Sequence, residues 1–298
     1  MALTVRVQAQ SFLTNGLVAY YPLNGNANDA SGNGNNGTVV GAIPATDRFG
    51  NPNGCYSFNG IAQYIYAAAG SLPSGQRTIS LWFKLNEVNI HPVLLGYGRS
   101  CGSSYWMGLN LAEKAAFTVG THCGGYELDV PYNVPPTNSW KQWVVVMSTN
   151  QTIFYLNGNL LGSEAGSPTT AVAGTQLGLG VATGNGDSGT VPYTDSNLGY
   201  LDGYLDDVRI YNRPLSTNEV AQLYAIESSP IINIQKAVYL TVTNLWLGSN
   251  YQLQASSNLI NWTNQGSVFT ATTNYWRSTN YWDVANWSQL YFRLQVAP

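Results

Sequence analysis

Apolar and polar residues alternate with period two through much of residues 17–211, in short runs cut by Gly, Asn and Pro. This pattern predicts a sandwich or barrel of antiparallel strands. The clearest runs are Gly16–Pro22, Thr38–Ile43, Tyr56–Phe58, Thr78–Leu85, Trp143–Ser148 and Thr152–Leu156. In Thr78–Leu85, residues Ile79, Leu81, Phe83 and Leu85 point one way and Ser80, Trp82 and Lys84 the other. Asn157-Gly158 follows the run from Thr152 and takes the positive φ angles of a type I′ hairpin turn at little steric cost. Tyr105–Leu111 and Ala115–Gly120 read as a second pair of adjacent strands.

A single helix stands out against the strands. Ser216 and Glu219 form a capping box, Val220, Leu223 and Tyr224 follow at helical spacing, and Ser228-Ser229-Pro230 stops the helix and opens a linker. Beyond Ile231 lie five of the nine tryptophans and four further strand runs, Ala237–Thr243, Asn250–Ser256, Ser267–Ala271 and Leu290–Gln295. The expected organisation is therefore all-β. An arm spans 1–15, a large antiparallel β-sandwich 16–228, and a smaller β-sandwich domain of fibronectin type III or immunoglobulin character 229–298. Trp246 and Trp262 are expected in the small domain's core, and Trp276, Trp282 and Trp287 on an exposed aromatic strip. In the arm, Leu3, Val5, Val7 and Ala9 alternate with Thr4, Arg6, Gln8 and Gln10. That pattern predicts an extended segment packed along a sheet edge, its own domain's or a neighbour's.

Only 9% of the 298 residues are charged, net charge is −3, and no run of Lys or Arg occurs. Nucleic acid, which demands clustered cations, is excluded as a partner. No apolar run reaches the roughly 20 residues of a membrane span, and Met1–Gln10 lacks the apolar stretch of an intact signal peptide. A surface of amides, hydroxyls and aromatic rings suits a hydroxyl-rich partner. Cys101 and Cys123 flank the expected Tyr105–Gly120 hairpin and read as a disulfide, in keeping with an extracellular address. The alternatives are two reduced thiols or a zinc site with His122, which lacks an evident fourth ligand. Cys55 alternates with aromatics and reads as a small buried side chain.

Six motifs in order carry a family resemblance. They are Gly16-Leu-Val-Ala-Tyr-Tyr-Pro-Leu-Asn-Gly, Asn28-Asp-Ala-Ser-Gly-Asn-Gly-Asn-Asn-Gly, Cys55-Tyr-Ser-Phe-Asn-Gly, Ile79-Ser-Leu-Trp-Phe-Lys, Ile153-Phe-Tyr-Leu-Asn-Gly and Gly203-Tyr-Leu-Asp-Asp-Val-Arg-Ile-Tyr-Asn-Arg-Pro-Leu-Ser. Together they resemble the laminin-G-like branch of the concanavalin A-like lectin/glucanase superfamily. The resemblance implies a two-sheet jelly roll whose last strand returns beside its first. Tyr251-Gln-Leu-Gln-Ala-Ser-Ser-Asn-Leu-Ile-Asn-Trp-Thr and Tyr291-Phe-Arg resemble a small domain at the ends of secreted bacterial proteins, which implies a bacterial, extracellular origin.

Calcium is the expected cofactor, in a structural role. Asp29, Asn33 and Asn35 in the Asn24–Gly37 loop supply hard oxygen ligands, and the resemblance adds Asp206. By alternation Asp206 shares a core-facing side with Val208 and Ile210, where a lone carboxylate needs a cation. The alternative is an Asx-turn network without metal, with Asp206 held by backbone amides or Arg209.

No catalytic residues are assigned. Glu127 and Asp129 alternate once without a third acid, Asp206 and Asp207 are adjacent and so face opposite sides, and His91 and His122 lack a nucleophile motif. A lyase using His122 and Tyr126 ranks last. Tyr97, Arg99, Tyr105, Trp106, His122, Tyr126, Tyr132 and Tyr193, on three long connections beside Asn133, Asp187 and Asp195, form the candidate ligand-binding set. Core packing is the alternative for each aromatic. The expected function is a non-catalytic, lectin-like or adhesive protein that binds a glycan. The rival is a self-assembling structural subunit binding copies of itself through the arm or the Trp-rich domain, since scarce charge leaves little repulsion between copies. A glycan-active enzyme comes third.

Overall fold

The computed structural model describes residues 11–86, 92–99, 104–110, 116–120, 127–131, 137–167, 169–183, 189–192, 199–228, 237–238, 240–278, 282–283 and 290–297. The chain divides into two compact units, Met1–Pro230 and Ile231–Pro298. The first contains β1 (Leu17–Tyr21), β2 (Thr38–Val40), β3 (Ile43–Ala45), β4 (Cys55–Asn59), β5 (Tyr64–Ala68), β6 (Arg77–Leu85), β7 (Val93–Gly98), β8 (Ser104–Asn110), β9 (Ala116–Gly120), β10 (Glu127–Pro131), β11 (Lys141–Met147), β12 (Gln151–Leu156), β13 (Asn159–Ala165), β14 (Gln176–Leu179), β15 (Asp202–Tyr211) and the helix α1 (Thr217–Glu227).

The strands form two antiparallel sheets. The back sheet runs β13-β12-β11-β6-β15-β4-β3, with β1 also paired to β15, and the front sheet runs β10-β9-β8-β7-β14-β5-β2. The last strand lies beside the first, Leu17 opposite Tyr211, as the resemblance implies. The expected strand Thr38–Ile43 is two strands in different sheets: β2 pairs with β5 in front and β3 with β4 behind. Gly41, at φ +71°, makes the crossing between them, a conformation that costs glycine little.

Ile79, Leu81, Phe83 and Leu85 enter the core between the sheets, where Trp143 lies against Phe117 of the front sheet and Phe154 of the back. Half-exposed alternation does not hold for the other face of β6, because Ser80 and Trp82 are buried as well. A second apolar cluster joins Val144, Val146 and Tyr155 of the back sheet's outer face to Val220 and Leu223 of α1. The helix starts with the predicted capping box at Ser216 and Glu219. The hairpin turn is also as predicted, with Asn157 at φ +50° and Gly158 at φ +73°.

Met1–Gln10 lie outside the described residues. The rest of the expected extended arm is corrected, since Ser11–Leu13 form a 3-10 turn and Phe12 is buried in the outer cluster.

Among its described residues the second unit contains β16 (Ala237–Val238), β17 (Thr241–Thr243), β18 (Asn250–Ser256), β19 (Thr263–Asn264), β20 (Phe269–Thr270), β21 (Tyr275–Arg277), β22 (Trp282–Asp283) and β23 (Tyr291–Val296), in three small antiparallel sheets. Its tryptophan assignments are partly reversed. Trp276 packs on Phe269 at 4.7 Å beside the buried Leu245, Tyr251 and Ala271, whereas Trp246 is 74% exposed. Trp262 is half-buried, donating its N–H to the Leu259 carbonyl and lying under Arg293 at 4.2 Å. The side chain of Trp282, and all of Trp287, lie outside what is described.

Candidate functional site

The Asn24–Gly37 loop is held by protein donors. Asp29 Oδ1 accepts from the backbone N–H groups of Tyr20 and Ser31, and Oδ2 accepts from that of Asn35, each at 2.9 Å. Burial pushes the Asp29 carboxyl up, but hydrogen bonds from Ser31, Tyr20 and Asn35 outweigh it and hold the group below its ordinary value. Asn33 and Asn35 each donate their side-chain amide to the Val18 carbonyl at 3.0 Å, and Asn35 Oδ1 accepts from the Ser71 hydroxyl.

Asp206 is placed differently from the alternation. A bulge between Asp206 and Arg209, with Asp207 at φ +45°, adds a residue to β15 and inverts the side-chain sequence. Leu205, Val208 and Ile210 therefore all enter the core, while Asp206 sits opposite Trp82 on the outer face. The same bulge brings Asp206 and Asp207, expected on opposite sides, to one guanidinium. Arg48 forms ion pairs with both, at 2.6 Å for Asp207.

Arg48 is itself enclosed. Its guanidinium lies 4.5 Å from the Trp82 ring centroid and donates to the Glu227 carbonyl at the end of α1 at 2.9 and 3.0 Å. The Glu227 carboxylate accepts from Trp82 Nε1 at 2.8 Å, Gln142 Nε2 at 2.9 Å and Arg209 Nε at 2.7 Å. Arg209 thus serves Glu227 and not Asp206. Burial, then the Asp207 carboxylate, push the Asp206 carboxyl up to about 8 against the pull of Arg48.

These residues do not fit a calcium ion bridging Asp29 to Asp206, because the cation Asp206 requires is a guanidinium. Among the described residues no group of three or more His, Cys, Asp or Glu side chains is placed to hold a metal. Excess chelator is accordingly expected to leave the melting temperature of the purified protein unchanged. A fall of several degrees, restored by added calcium, would reverse this reading.

The candidate ligand-binding residues are dispersed. Tyr97 is fully buried in the core, with its hydroxyl donating to the Pro73 carbonyl at 2.9 Å and Arg77 5.5 Å from its ring centroid. It is a packing residue, which corrects its assignment to a ligand site. Register places Tyr105 opposite Tyr97, and Trp106 opposite Gly96 and Gly120. Arg99 is exposed and reaches the Ala173 carbonyl at 3.4 Å. His122, Tyr126, Tyr132 and Tyr193 lie outside the described residues, as do His91, Asn133, Asp187, Asp195 and the proposed Cys101–Cys123 disulfide. Cys55 is buried and free, as expected.

An aromatic cluster absent from the expected set stands on the outward side of the front sheet. Ile65 and Ala67 of β5 enter the core, so Tyr64 and Tyr66 face outward, half-buried. Tyr200, also half-buried, stacks on Tyr64 at 6.3 Å between ring centroids and 29° between planes, and Tyr66 lies 6.3 Å from Tyr64 at 44°. Burial, then Tyr64, raise the Tyr200 hydroxyl above its ordinary value.

Beside the cluster, Gly178 pairs with Tyr66 and lies beneath the segment after β14, where an added Cβ would meet the Val181 carbonyl at 2.8 Å and Val191 Cγ1 at 2.9 Å. The Tyr-Ile-Tyr alternation at 64–66 was visible in the chain. Its partner Tyr200 was not, because only the fold brings it there.

A two-sheet antiparallel sandwich closed by its last strand beside its first, with half-exposed aromatic rings on a sheet face, defines a lectin-like β-sandwich. The chain belongs to the concanavalin A-like lectin/glucanases superfamily, whose Laminin_G_3 model matches residues 59–221, more than half of it. Similar solved structures include domain 4 of AbnA, an extracellular GH43 arabinanase of Geobacillus stearothermophilus, in complex with arabinotriose. That match has 22% identity and a TM-score of 0.54, covering 70% of this chain and 98% of that one. The binding domain of Paraclostridial Mosquitocidal Protein 1 matches at 16% identity and a TM-score of 0.56, over 83% of this chain and 62% of that one. The botulinum neurotoxin serotype G binding domain matches at 15% and 0.53, over 80% and 56%. The chain thus spans less than two thirds of either toxin domain, and at these identities the likeness is one of fold. No curated protein matches the sequence. Among the described residues no helix is long and apolar enough to cross a membrane.

Proposed function

We propose that this chain is a non-catalytic, extracellular carbohydrate-binding protein that stacks a neutral sugar on Tyr64, Tyr66 and Tyr200. The observation that carries the reading is the rings' placement. All three are half-exposed on one sheet face, and their hydroxyls have no protein hydrogen-bond partner among the described residues. Such rings offer an apolar face to the C–H side of a sugar and a polar edge to its hydroxyls. The arabinotriose held by the related arabinanase domain supports the ligand class. A binding role also suits the carboxylates, since Asp206, Asp207 and Glu227 are engaged by arginines and Asp129 accepts the Thr118 hydroxyl at 2.6 Å.

A glycan array followed by calorimetry on the best ligand, with arabinotriose included, tests the proposal. Tyr64→Ala and Tyr200→Ala are each expected to weaken binding about tenfold or more, the effect of removing a central aromatic anchor, with the fold intact by circular dichroism. Binding to no glycan, or binding unaffected by both substitutions, would reject it. A second reading, self-assembly, draws on the small unit, where Trp246, Leu247 and Ile260 are 74%, 68% and 79% exposed. Sedimentation at increasing protein concentration tests it, with a monomer throughout as the opposing result.

A further inference from the structure

The outer face of the back sheet is covered at one end and open at the other. Helix α1 and Arg48 cover it as far as Trp82, which is 4% exposed. Two residues further along β6 the roof stops. There a single transverse row crosses the sheet: Ile43 is opposite Ser57, Ser57 opposite Tyr204, and Tyr204 opposite Lys84. Trp140, preceding the Lys141 that pairs with Phe83, continues the row. Ile43 is 57% exposed, and Ser57, Tyr204, Lys84 and Trp140 are half-buried.

Three of these residues form a compact group. The Tyr204 and Trp140 ring centroids are 6.1 Å apart with 56° between planes. Lys84 Nζ lies 4.0 Å from the Tyr204 centroid and 5.7 Å from that of Trp140. The rings stabilise the ammonium from one side but do not neutralise it, and no described carboxylate forms an ion pair with Lys84. The nearby acid on this face, Asp202, accepts from the Asn86 side-chain amide at 2.9 Å. In a protein with 12 Lys and Arg among 298 residues, this is a cation without a described carboxylate partner, set between aromatic faces on the side of the sheet that carries the Asn86–Asp202 pair.

We infer that this row is a second saccharide site, selective for a sugar unit that carries a carboxylate, a uronic acid. Its pyranose ring packs on Trp140 and Tyr204, its carboxylate takes a charge-assisted hydrogen bond from Lys84, and its hydroxyls meet the Asn86–Asp202 pair. Charge complementarity selects the occupant. A neutral sugar leaves the Lys84 charge unanswered, and an anion without a ring makes no use of the aromatic pair. The site lies on the opposite sheet from Tyr64, Tyr66 and Tyr200, and does not depend on that proposal.

Calorimetric titration of the full chain with trigalacturonate and with its trimethyl ester tests the inference. The acid is expected to bind the wild-type protein about tenfold or more tightly than the ester, the difference a charge-assisted hydrogen bond commands, and to lose this preference in high salt. Lys84→Gln should abolish the preference at an unchanged melting temperature, Lys84→Arg should retain it, and Trp140→Ala should weaken both ligands together. The preference for acid over ester reads the Lys84 charge, which separates this site from the front one. Equal affinity of wild type for acid and ester, or a preference that survives Lys84→Gln, would overturn the inference.

Discussion

Arg48→Ala is expected to destabilise the first unit by about 3–5 kcal/mol, because it strips the cation from two acidic side chains that are largely shut off from water. Asp206 is 2% exposed and Asp207 15% in their side chains, and both are paired to this one guanidinium. The substitution also removes two donors from the Glu227 carbonyl at the helix end and the cation lying over Trp82. For a unit of this size the loss corresponds to a melting temperature lower by roughly 6–20 °C.

The deficit should depend on pH. The Asp206 carboxyl is already pushed up to about 8 by burial and Asp207, and losing Arg48 removes the opposing pull. A folded-state value above the ordinary carboxylate value means that the native state keeps a proton the unfolded chain releases. This contribution is therefore lost as pH rises through the folded value. Urea unfolding of Arg48→Ala should show a larger deficit at pH 9.5 than at pH 7, because only above about 8 does the wild-type native state release the proton that the variant keeps, and Asp206→Asn in the same background should recover part of it. A loss under about 1 kcal/mol, below the range for breaking a buried pair, or one equal at both pH values, would refute this account.

Trp143→Ala should cost a similar amount, about 3–5 kcal/mol, for a different reason: it empties the centre of the sandwich. The indole is fully buried on β11, 4.8 Å from Phe117 across the inter-sheet space and 6.3 Å from Phe154 on the neighbouring strand. Its removal leaves a cavity that two hydrogen-bonded sheets cannot close. Trp143→Phe retains a ring between those partners and should cost less than half as much in the same unfolding measurement. Equal losses for the two variants would show that the ring contacts are not what holds the sheets together.

The chain is legible where a short segment decides its own conformation. The capping box at Ser216 and Glu219 and the Asn157-Gly158 turn depend on hydrogen bonds and φ preferences within a few residues, and both occur as predicted. Ile79, Leu81, Phe83 and Leu85 were legible as a core face for the same reason. Ser80 and Trp82 were not legible as buried, because whether the second face of a strand meets water depends on a helix about 140 residues later.

The candidate sites show the same division more sharply. Asp206 was misplaced because alternation assumes an unbroken strand, and one inserted residue at Asp207 inverts every face beyond it. From its neighbours in sequence Tyr97 reads as a ligand-binding ring, yet its place in β7 puts it in the core. Trp246 and Trp276 exchanged roles because a tryptophan's burial follows from what lies opposite it, which its neighbours in sequence do not record. By itself the sequence determined the all-β class, the family motifs, the turns and the helix cap, all of which depend on contacts within a few residues. The tertiary structure alone decided that Arg48 answers Asp206, that Tyr200 joins Tyr64, and that Lys84 lies between Tyr204 and Trp140. Each of these pairs side chains more than 50 residues apart, and only the order of strands in the two sheets brings them within reach.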